Sequence, residues 1–278
     1  MNDELGRLKN LGWIEFFSDI EGIRLAQSTG ESEISFPSEY FNVITEQKFG
    51  LWERQRAADI YSILKKEDIS LLWEVGGGHG GACFELKNLG VNTIAIEPLA
   101  VGATILSKNG IKTYCATLEQ LALPDNSITA IGIFDVLEHI ADTQTFLAEI
   151  YRVLKPGGSL ILTVPACQFL FSDYDSEIGH LRRYSKKSLN DELFLARFIP
   201  NVVQYKYFYL LIPVFLIRTV KGRIGFHSKS TKIHKLNLRQ REMINKFSSI
   251  FRIIVRIESL FNLPIGFALL GLYKKPYN

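Results

Sequence analysis

Cysteine is scarce in this sequence and is never paired at close spacing. The 278 residues include three cysteines, Cys83, Cys115 and Cys167, and no two of them form a CxxC pair. This pattern argues against a disulfide framework and against a cysteine-based zinc site, so no metal site is predicted. All three cysteines have apolar neighbours in the sequence, which favours small core residues in a reducing compartment.

Segments that would direct the chain into a membrane are also lacking. Acidic and basic side chains are mixed in the first ten residues and no apolar run follows them, so no secretory signal is predicted. The uncharged run 207–217 has eleven residues and is too short to span a bilayer. We therefore expect a cytoplasmic protein, with peripheral membrane contact as an alternative.

Carboxylates are missing from one long stretch of the chain. No Asp or Glu lies between Leu193 and Arg241, and residues 193–278 carry 15 Lys and Arg against two carboxylates. The overall net charge of +3 hides this asymmetry. A field of one sign favours an anionic partner. Nucleic acid is not favoured as that partner, because the aromatic residues precede the basic run instead of alternating with it.

Short apolar runs alternate with amphipathic runs between residues 71 and 165. This alternation is typical of βαβ units and predicts an α/β fold, with a parallel sheet covered by helices on both faces. The chain before it is predicted to be mainly helical, with a helix over 51–64, and the chain after it is less regular. The predicted organisation is an N-terminal helical cap over 1–70, a Rossmann-like core over 71–206, a helical basic insertion over 207–263 and a last strand over 264–278.

A glycine-rich loop follows the first predicted strand of the core. The six residues after that strand include five glycines, and a predicted helix follows them. Bare backbone at such a turn lets a nucleotide-containing cofactor approach closely. Gly76, Gly78 and Gly81 fit the dinucleotide fingerprint. Gly76, Gly78 and Gly80 fit the loop of adenosylmethionine enzymes, so both cofactors remain open. Glu97 ends the next strand and suits the ribose hydroxyls of either cofactor.

Three further segments favour one of these cofactors. They are 123–127 (LPDNS), 133–140 (IFDVLEHI) and 154–160 (LKPGGSL). Together with the glycine loop they resemble the class I adenosylmethionine-dependent methyltransferases, and are most similar to the small-molecule branch of ubiquinone and menaquinone methyltransferases. The resemblance covers about residues 50–195. It implies a Rossmann-like, seven-stranded, mostly parallel sheet that binds S-adenosyl-L-methionine and serves methyl transfer to a small-molecule acceptor.

The resemblance also implies which residues contact the cofactor. The first strand and the glycine loop would hold its methionine part, Glu97 its ribose, and Asp135 would lie beside the sulfonium. Many relatives carry an acid where Thr117 stands, so the adenine contact is the weakest of these expectations. The residues implied to bind the cofactor are Glu74, Gly76, Gly78, Gly80, Glu97, Thr117, Leu118, Phe134 and Asp135.

Candidate catalytic and acceptor residues follow the fourth and fifth predicted strands of the core. His139 and His180 are the candidate general bases, because imidazole titrates near neutrality. The motif Gly-His-Leu-Arg-Arg-Tyr, which contains His180, resembles one found in class I methyltransferases of bacterial cell-envelope and glycan pathways. This resemblance implies that Arg182, Arg183 and Tyr184 contact the acceptor. We expect an anionic acceptor, lipid-linked or glycan-linked, that receives the methyl group on oxygen.

Two other functions fit parts of the sequence. An NAD-dependent oxidoreductase could use the same glycine loop, and a non-catalytic scaffold could bind adenosylmethionine without turnover. The insertion likewise has two interpretations. Its apolar stripe between Phe247 and Leu260 predicts either a helical cap over the substrate or a membrane-surface element, with the basic stretch 218–241 at lipid headgroups.

Overall fold

The computed structural model describes residues 14–17, 24–27, 51–216, 258, 261 and 263–277. The strands are β1 (Ile14–Phe17), β2 (Arg24–Gln27), β3 (Leu71–Val75), β4 (Asn92–Ile96), β5 (Lys112–Cys115), β6 (Ile128–Phe134), β7 (Leu154–Pro165), β8 (Ile199–Lys206) and β9 (Ala268–Lys274). The helices are α1 (Leu51–Lys66), α2 (Gly81–Asn88), α3 (Ala100–Lys108), α4 (Thr143–Val153), α5 (Asp173–Glu177) and α6 (Lys186–Leu195).

One sheet joins all nine strands of the described residues. Its order is β1-β2-β5-β4-β3-β6-β7-β9-β8. Neighbours from β2 to β7 pair in parallel, whereas β9 is antiparallel to both β7 and β8. The seven strands from β3 to β9 are the predicted mostly parallel sheet, which is confirmed. Because its parallel strands run in one direction, their carboxyl ends meet at one edge, where α/β sheets bind ligands.

The strands β1 and β2 are an addition to the N-terminal region, which the sequence predicts to be mainly helical. They pair with each other antiparallel, and β2 adds in parallel to β5. Without them β5 would be an edge strand with unpaired N–H and C=O groups, and such an edge accepts a further strand readily. The helix predicted over 51–64 is present as α1.

Helices cover both faces of the sheet because successive strand residues point to opposite sides. In β7, Leu160 and Leu162 pack in one core cluster with the apolar face of α4. Ile161, between them, packs in a second cluster with Ile60 and Leu64 of α1. Every described residue of β9 before Lys274 is buried, as expected for a strand between two others. The core therefore holds the strand ends in a fixed register.

The predicted helical insertion lies mostly outside the described residues. Within the described part, residues 208–210 form a 3₁₀ turn and residues 211–216 are helical. The apolar stripe and the basic stretch predicted for this region lie outside the described residues. Among the helices that are described, none combines the length and the apolar character needed to cross a membrane.

Candidate functional site

The glycine loop joins β3 to α2 at the edge where the parallel strands end. Gly76, Gly78 and Gly80 have φ values of +77°, +54° and +86°, a region that glycine adopts without strain. A Cβ at Gly76 or Gly80 would collide with side chains at 2.6 or 2.5 Å. A Cβ at Gly78 would face open space, with its nearest neighbour, the Gly76 carbonyl oxygen, 4.0 Å away. Packing thus requires two of these glycines, while Gly78 presents bare backbone to a ligand.

Glu97 follows β4 directly and is held by the glycine loop. Its Oε2 accepts a hydrogen bond from the Gly78 N–H at 2.7 Å, and its Oε1 accepts one from the Leu99 N–H at 2.8 Å. A carboxylate oxygen has two lone pairs, so each can still accept a ribose hydroxyl. Burial raises the pKa of Glu97 to about 7, although both hydrogen bonds oppose the shift.

Glu74 lies in β3 beneath the glycine loop. Its side chain is buried, and Oε2 accepts a hydrogen bond from the Cys83 thiol at 2.8 Å. Burial raises the pKa of Glu74 to about 7, while the Cys83 hydrogen bond and the nearby Arg56 lower it. This hydrogen bond joins β3 to α2, and the predicted contact of Glu74 with the cofactor stays a prediction.

The residues predicted to flank adenine form a turn after β5. The Thr117 N–H donates to Gln120 Oε1 at 2.8 Å, and the Thr117 hydroxyl accepts from the Gln120 N–H at 3.3 Å. The side chain of Leu118 is buried in the main core cluster. These contacts fix the shape of the turn, and the contact to adenine stays a prediction.

Asp135 follows β6 with a positive φ of +57°. Its Oδ1 accepts from the Thr163 hydroxyl at 3.0 Å, and its Oδ2 forms an ion pair with Arg56 of α1. The preceding Phe134 is buried and belongs to the α1 side of the core. Both residues lie where β6 ends, and their contact with the sulfonium stays a prediction.

Arg56 is a site residue absent from the sequence-based predictions. Its side chain is only 11% exposed, and among the described residues its Nε has no hydrogen-bond partner. A guanidinium donates to a carboxylate with particular strength, so this spare donor suits an anionic ligand group. The sequence carried a signal for it, because Arg56 lies on the same face of α1 as apolar residues such as Ile60 and Ile63.

The two predicted base candidates, His139 and His180, contact each other. The rings of His139 and His180 lie 4.7 Å apart between centroids and nearly perpendicular. His139 Nδ1 is 3.0 Å from the Gly179 carbonyl oxygen, and His180 Nδ1 is 3.2 Å from Asp175 Oδ1. Burial, followed by the neighbouring His180, lowers the pKa of His139 to about 4. An imidazole with such a low pKa is a poor general base at neutral pH, which leaves His180 as the better candidate.

The structure buries Arg183 and Tyr184, which argues against the predicted contact of these residues with the acceptor. Both side chains are buried, at 6% and 2% exposure. Arg183 donates to Asp175 Oδ1 from Nε at 2.9 Å and Nη2 at 2.6 Å, and to the Ala166 carbonyl at 3.1 Å. A buried carboxylate needs a cation beside it, and Arg183 fills that role. Only Arg182, one-third exposed and 3.9 Å from Glu192, still lies where a ligand could reach it.

Part of the sequence is similar to a known protein family. Residues 73–162 match the methyltransferase domain family. A ubiquinone biosynthesis O-methyltransferase of Rhodopseudomonas palustris is 27% identical over 95 residues, which are 32% of this chain and 37% of that protein. A ubiquinone/menaquinone biosynthesis C-methyltransferase of Marinomonas is 37% identical over 84 residues, which are 28% of this chain and 34% of that protein. The chain spans only about a fifth to two fifths of the curated relatives it matches.

A solved structure has the same fold. The phosphoethanolamine N-methyltransferase 2 of Haemonchus contortus, in complex with S-adenosyl-L-methionine, aligns with a TM-score of 0.50 at 17% identity, covering 91% of this chain and 62% of that one. The antiparallel β9 inserted between β7 and β8 also differs from the parallel six-stranded dinucleotide sheet, so the NAD alternative loses its support. Residues 73–162 therefore match a methyltransferase domain, and the order of the sheet is that of the class I S-adenosylmethionine-dependent methyltransferase fold.

Proposed function

We propose that this chain transfers a methyl group from S-adenosyl-L-methionine to a small-molecule acceptor. The observation that carries the proposal is the convergence of three features at one sheet edge. They are the open backbone at Gly78, the Glu97 carboxyl that follows β4, and the guanidinium of Arg56 beside Asp135. The residues present therefore fit the cofactor of the family.

Each of these groups has a part of the cofactor that it suits. Glu97 would accept from the ribose hydroxyls, and Arg56 would donate to the methionine carboxylate. Asp135 would lie beside the sulfonium. When bound, the cofactor supplies an already activated methyl group, and its transfer to an acceptor lone pair leaves the thioether adenosylhomocysteine. The protein's own contribution is then mainly alignment, which can be worth about 7–11 kcal/mol of the barrier.

The residues proposed to contact the acceptor are of two kinds, polar and apolar. His180 faces Glu138 and Asp175, and it would orient or deprotonate an acceptor oxygen. The positive charge of residues 193–278 supports an anionic acceptor, with Arg182 as the remaining arginine of the motif. Large apolar side chains are exposed on the segments after β7 and β8, which supports a lipid-linked acceptor and peripheral membrane contact. They are Phe169, Phe208, Ile212, Phe215 and Leu216.

Turnover with a labelled methyl donor tests this proposal. The purified chain is incubated with methyl-labelled adenosylmethionine and with the lipid and the aqueous fractions of a cell extract. We expect adenosylhomocysteine to form together with one labelled product, enriched in the lipid fraction. If the chain binds adenosylmethionine but forms no adenosylhomocysteine with either fraction, it is a binding scaffold and the proposed activity is wrong.

Cofactor affinity should rise with pH through about 7. Glu97 accepts two ribose hydroxyls only when ionised, and its pKa is about 7. At pH 6 about nine tenths of the group is protonated, so adenosylhomocysteine should bind about tenfold more weakly than at pH 8. Calorimetric titration at pH 6, 7 and 8 measures this slope.

Glu97→Gln is the matched control for the pH dependence. It should bind more weakly than the wild-type chain at pH 8, and its affinity should hardly vary with pH. A tenfold rise that persists in Glu97→Gln would assign the titration to another group, for which Glu74 is the candidate because its pKa is also about 7.

A further inference from the structure

Glu138 is a fully buried acid whose role the proposed methyl transfer does not explain. Its side chain is 0% exposed, and neither carboxylate oxygen accepts a hydrogen bond from another described residue. Leaving such a group unpaired in the protein interior is costly, and buried charges are normally paired or bound to a metal ion. Both carboxyl oxygens of Glu138 are therefore available to a further ligand group, such as a cation.

Two imidazole rings converge on this carboxyl. Glu138, His139 and His180 each offer one ligand atom, and these three atoms all lie within 4.8 Å of one another. The distance from His180 Nε2 to Glu138 Oε1 is 3.7 Å. A metal with bonds of about 2.0–2.2 Å holds its ligand atoms about 3–3.5 Å apart, so small side-chain rotations would complete the site.

Both histidines are oriented as metal ligands usually are. His180 Nδ1 faces the Asp175 carboxylate at 3.2 Å, and His139 Nδ1 faces the Gly179 carbonyl at 3.0 Å. A proton on each Nδ1 would put the lone pair on Nε2. Metal-binding histidines typically donate their other N–H to a carboxylate or carbonyl in this way, which fixes the tautomer and the ring orientation.

We propose that Glu138, His139 and His180 bind a first-row divalent transition-metal ion. Two imidazoles and one carboxylate suit Zn²⁺, Fe²⁺ or Co²⁺, whereas Mg²⁺ and Ca²⁺ prefer oxygen ligands alone. The sequence predicts no metal site, since it contains no cysteine pair at metal-binding spacing. The ligands proposed here come from two segments that meet only in the fold. His139 and Glu138 lie in the 3₁₀ turn after β6, and His180 lies after α5.

The position of the ion also suggests its use, and this part rests on the proposed function. Three protein ligands leave open coordination positions, as in catalytic metal sites. An acceptor oxygen bound there would lose its proton more easily, because a divalent ion lowers the pKa of a coordinated hydroxyl. The site would thus take an acceptor with a metal-binding oxygen, and His180 would hold the ion instead of acting as the base.

Titration of the full chain with Co²⁺ tests the site without any acceptor. The chain is first treated with a chelator and dialysed. We expect about one equivalent of Co²⁺ to bind and to give visible ligand-field absorption bands, which Zn²⁺ should then displace. Glu138→Gln and His180→Ala should each weaken Co²⁺ binding by at least about 100-fold. Glu177→Gln, an exposed acid of α5, is the matched control and should bind Co²⁺ like the wild-type chain.

Adenosylhomocysteine titration of the same samples separates the two proposals. A variant that keeps its cofactor affinity is folded, so its loss of Co²⁺ binding supports the metal site. His139→Ala provides a further test if Glu138→Gln does not fold. The metal site is wrong if the wild-type chain gives no Co²⁺ bands, or if the bands are unchanged in the folded cluster variants. Failure of the methyl-transfer assay alone would not contradict the metal site, because Co²⁺ binding is measured without an acceptor.

Discussion

Gly78→Asn should fold like the wild-type chain and lose at least about 100-fold in affinity for adenosylhomocysteine, a change of about 2.7 kcal/mol. The backbone at Gly78 has φ +54°, a region that Asn tolerates better than any branched residue. The new side chain would enter space in which nothing of the protein lies closer than 4.0 Å to the Cβ position. The fold therefore has room for it, whereas the ligand would meet it directly. Calorimetry and thermal unfolding measure the two effects separately.

Gly90→Asn is the matched control for this substitution. Gly90 has φ +86° and no atom within 4 Å of the Cβ position, and it lies in the turn between α2 and β4. The variant should carry a similar backbone strain of about 1 kcal/mol and keep wild-type cofactor affinity. If Gly78→Asn is folded and binds adenosylhomocysteine within about twofold of the wild-type value, the glycine loop does not hold the cofactor.

The parallel core of the fold was predictable because its signals are local. Each βαβ unit shows a short apolar run, a turn and an amphipathic run, and the glycine loop marks the first turn. The helix cap at Ser185 is likewise local, and its hydroxyl accepts from the Ser188 N–H at 3.0 Å. The strands β1 and β2 escaped prediction because strand addition to β5 depends on a distant partner. No periodicity within four residues reveals such pairing.

The candidate site likewise contains residues that the sequence could predict and residues whose contacts appear only in the fold. Gly78 and Glu97 lie at strand ends, where topology alone brings them to one edge. Arg56 reaches that edge from α1, so its contact with Asp135 depends on how a helix packs. The sequence of the His-Leu-Arg-Arg-Tyr segment does not show which of its side chains are buried. Adjacent arginines look alike in a sequence, and only the buried Asp175 decides which one turns inward.

Arg183→Ala should lower the free energy of unfolding by about 3–5 kcal/mol, because it leaves the carboxylate of Asp175 buried without its cation. The Arg183 side chain is 3% exposed and that of Asp175 is 0% exposed, so the carboxylate lies away from bulk solvent. The same arginine bonds the Ala166 carbonyl and thereby ties the end of β7 to the segment that carries His180. Urea denaturation followed by circular dichroism measures the change.

Arg182→Ala is the matched control and should cost no more than about 1 kcal/mol, because its ion pair with Glu192 is long and solvent-accessible. If Arg183→Ala does not fold, Arg183→Lys should fold with an intermediate loss, since lysine keeps the charge but cannot make both bonds to Asp175. An Arg183→Ala chain with wild-type stability and a raised acceptor KM would show that this arginine holds the acceptor. In the arrangement described, the acceptor KM should respond to Arg182, and stability should respond to Arg183.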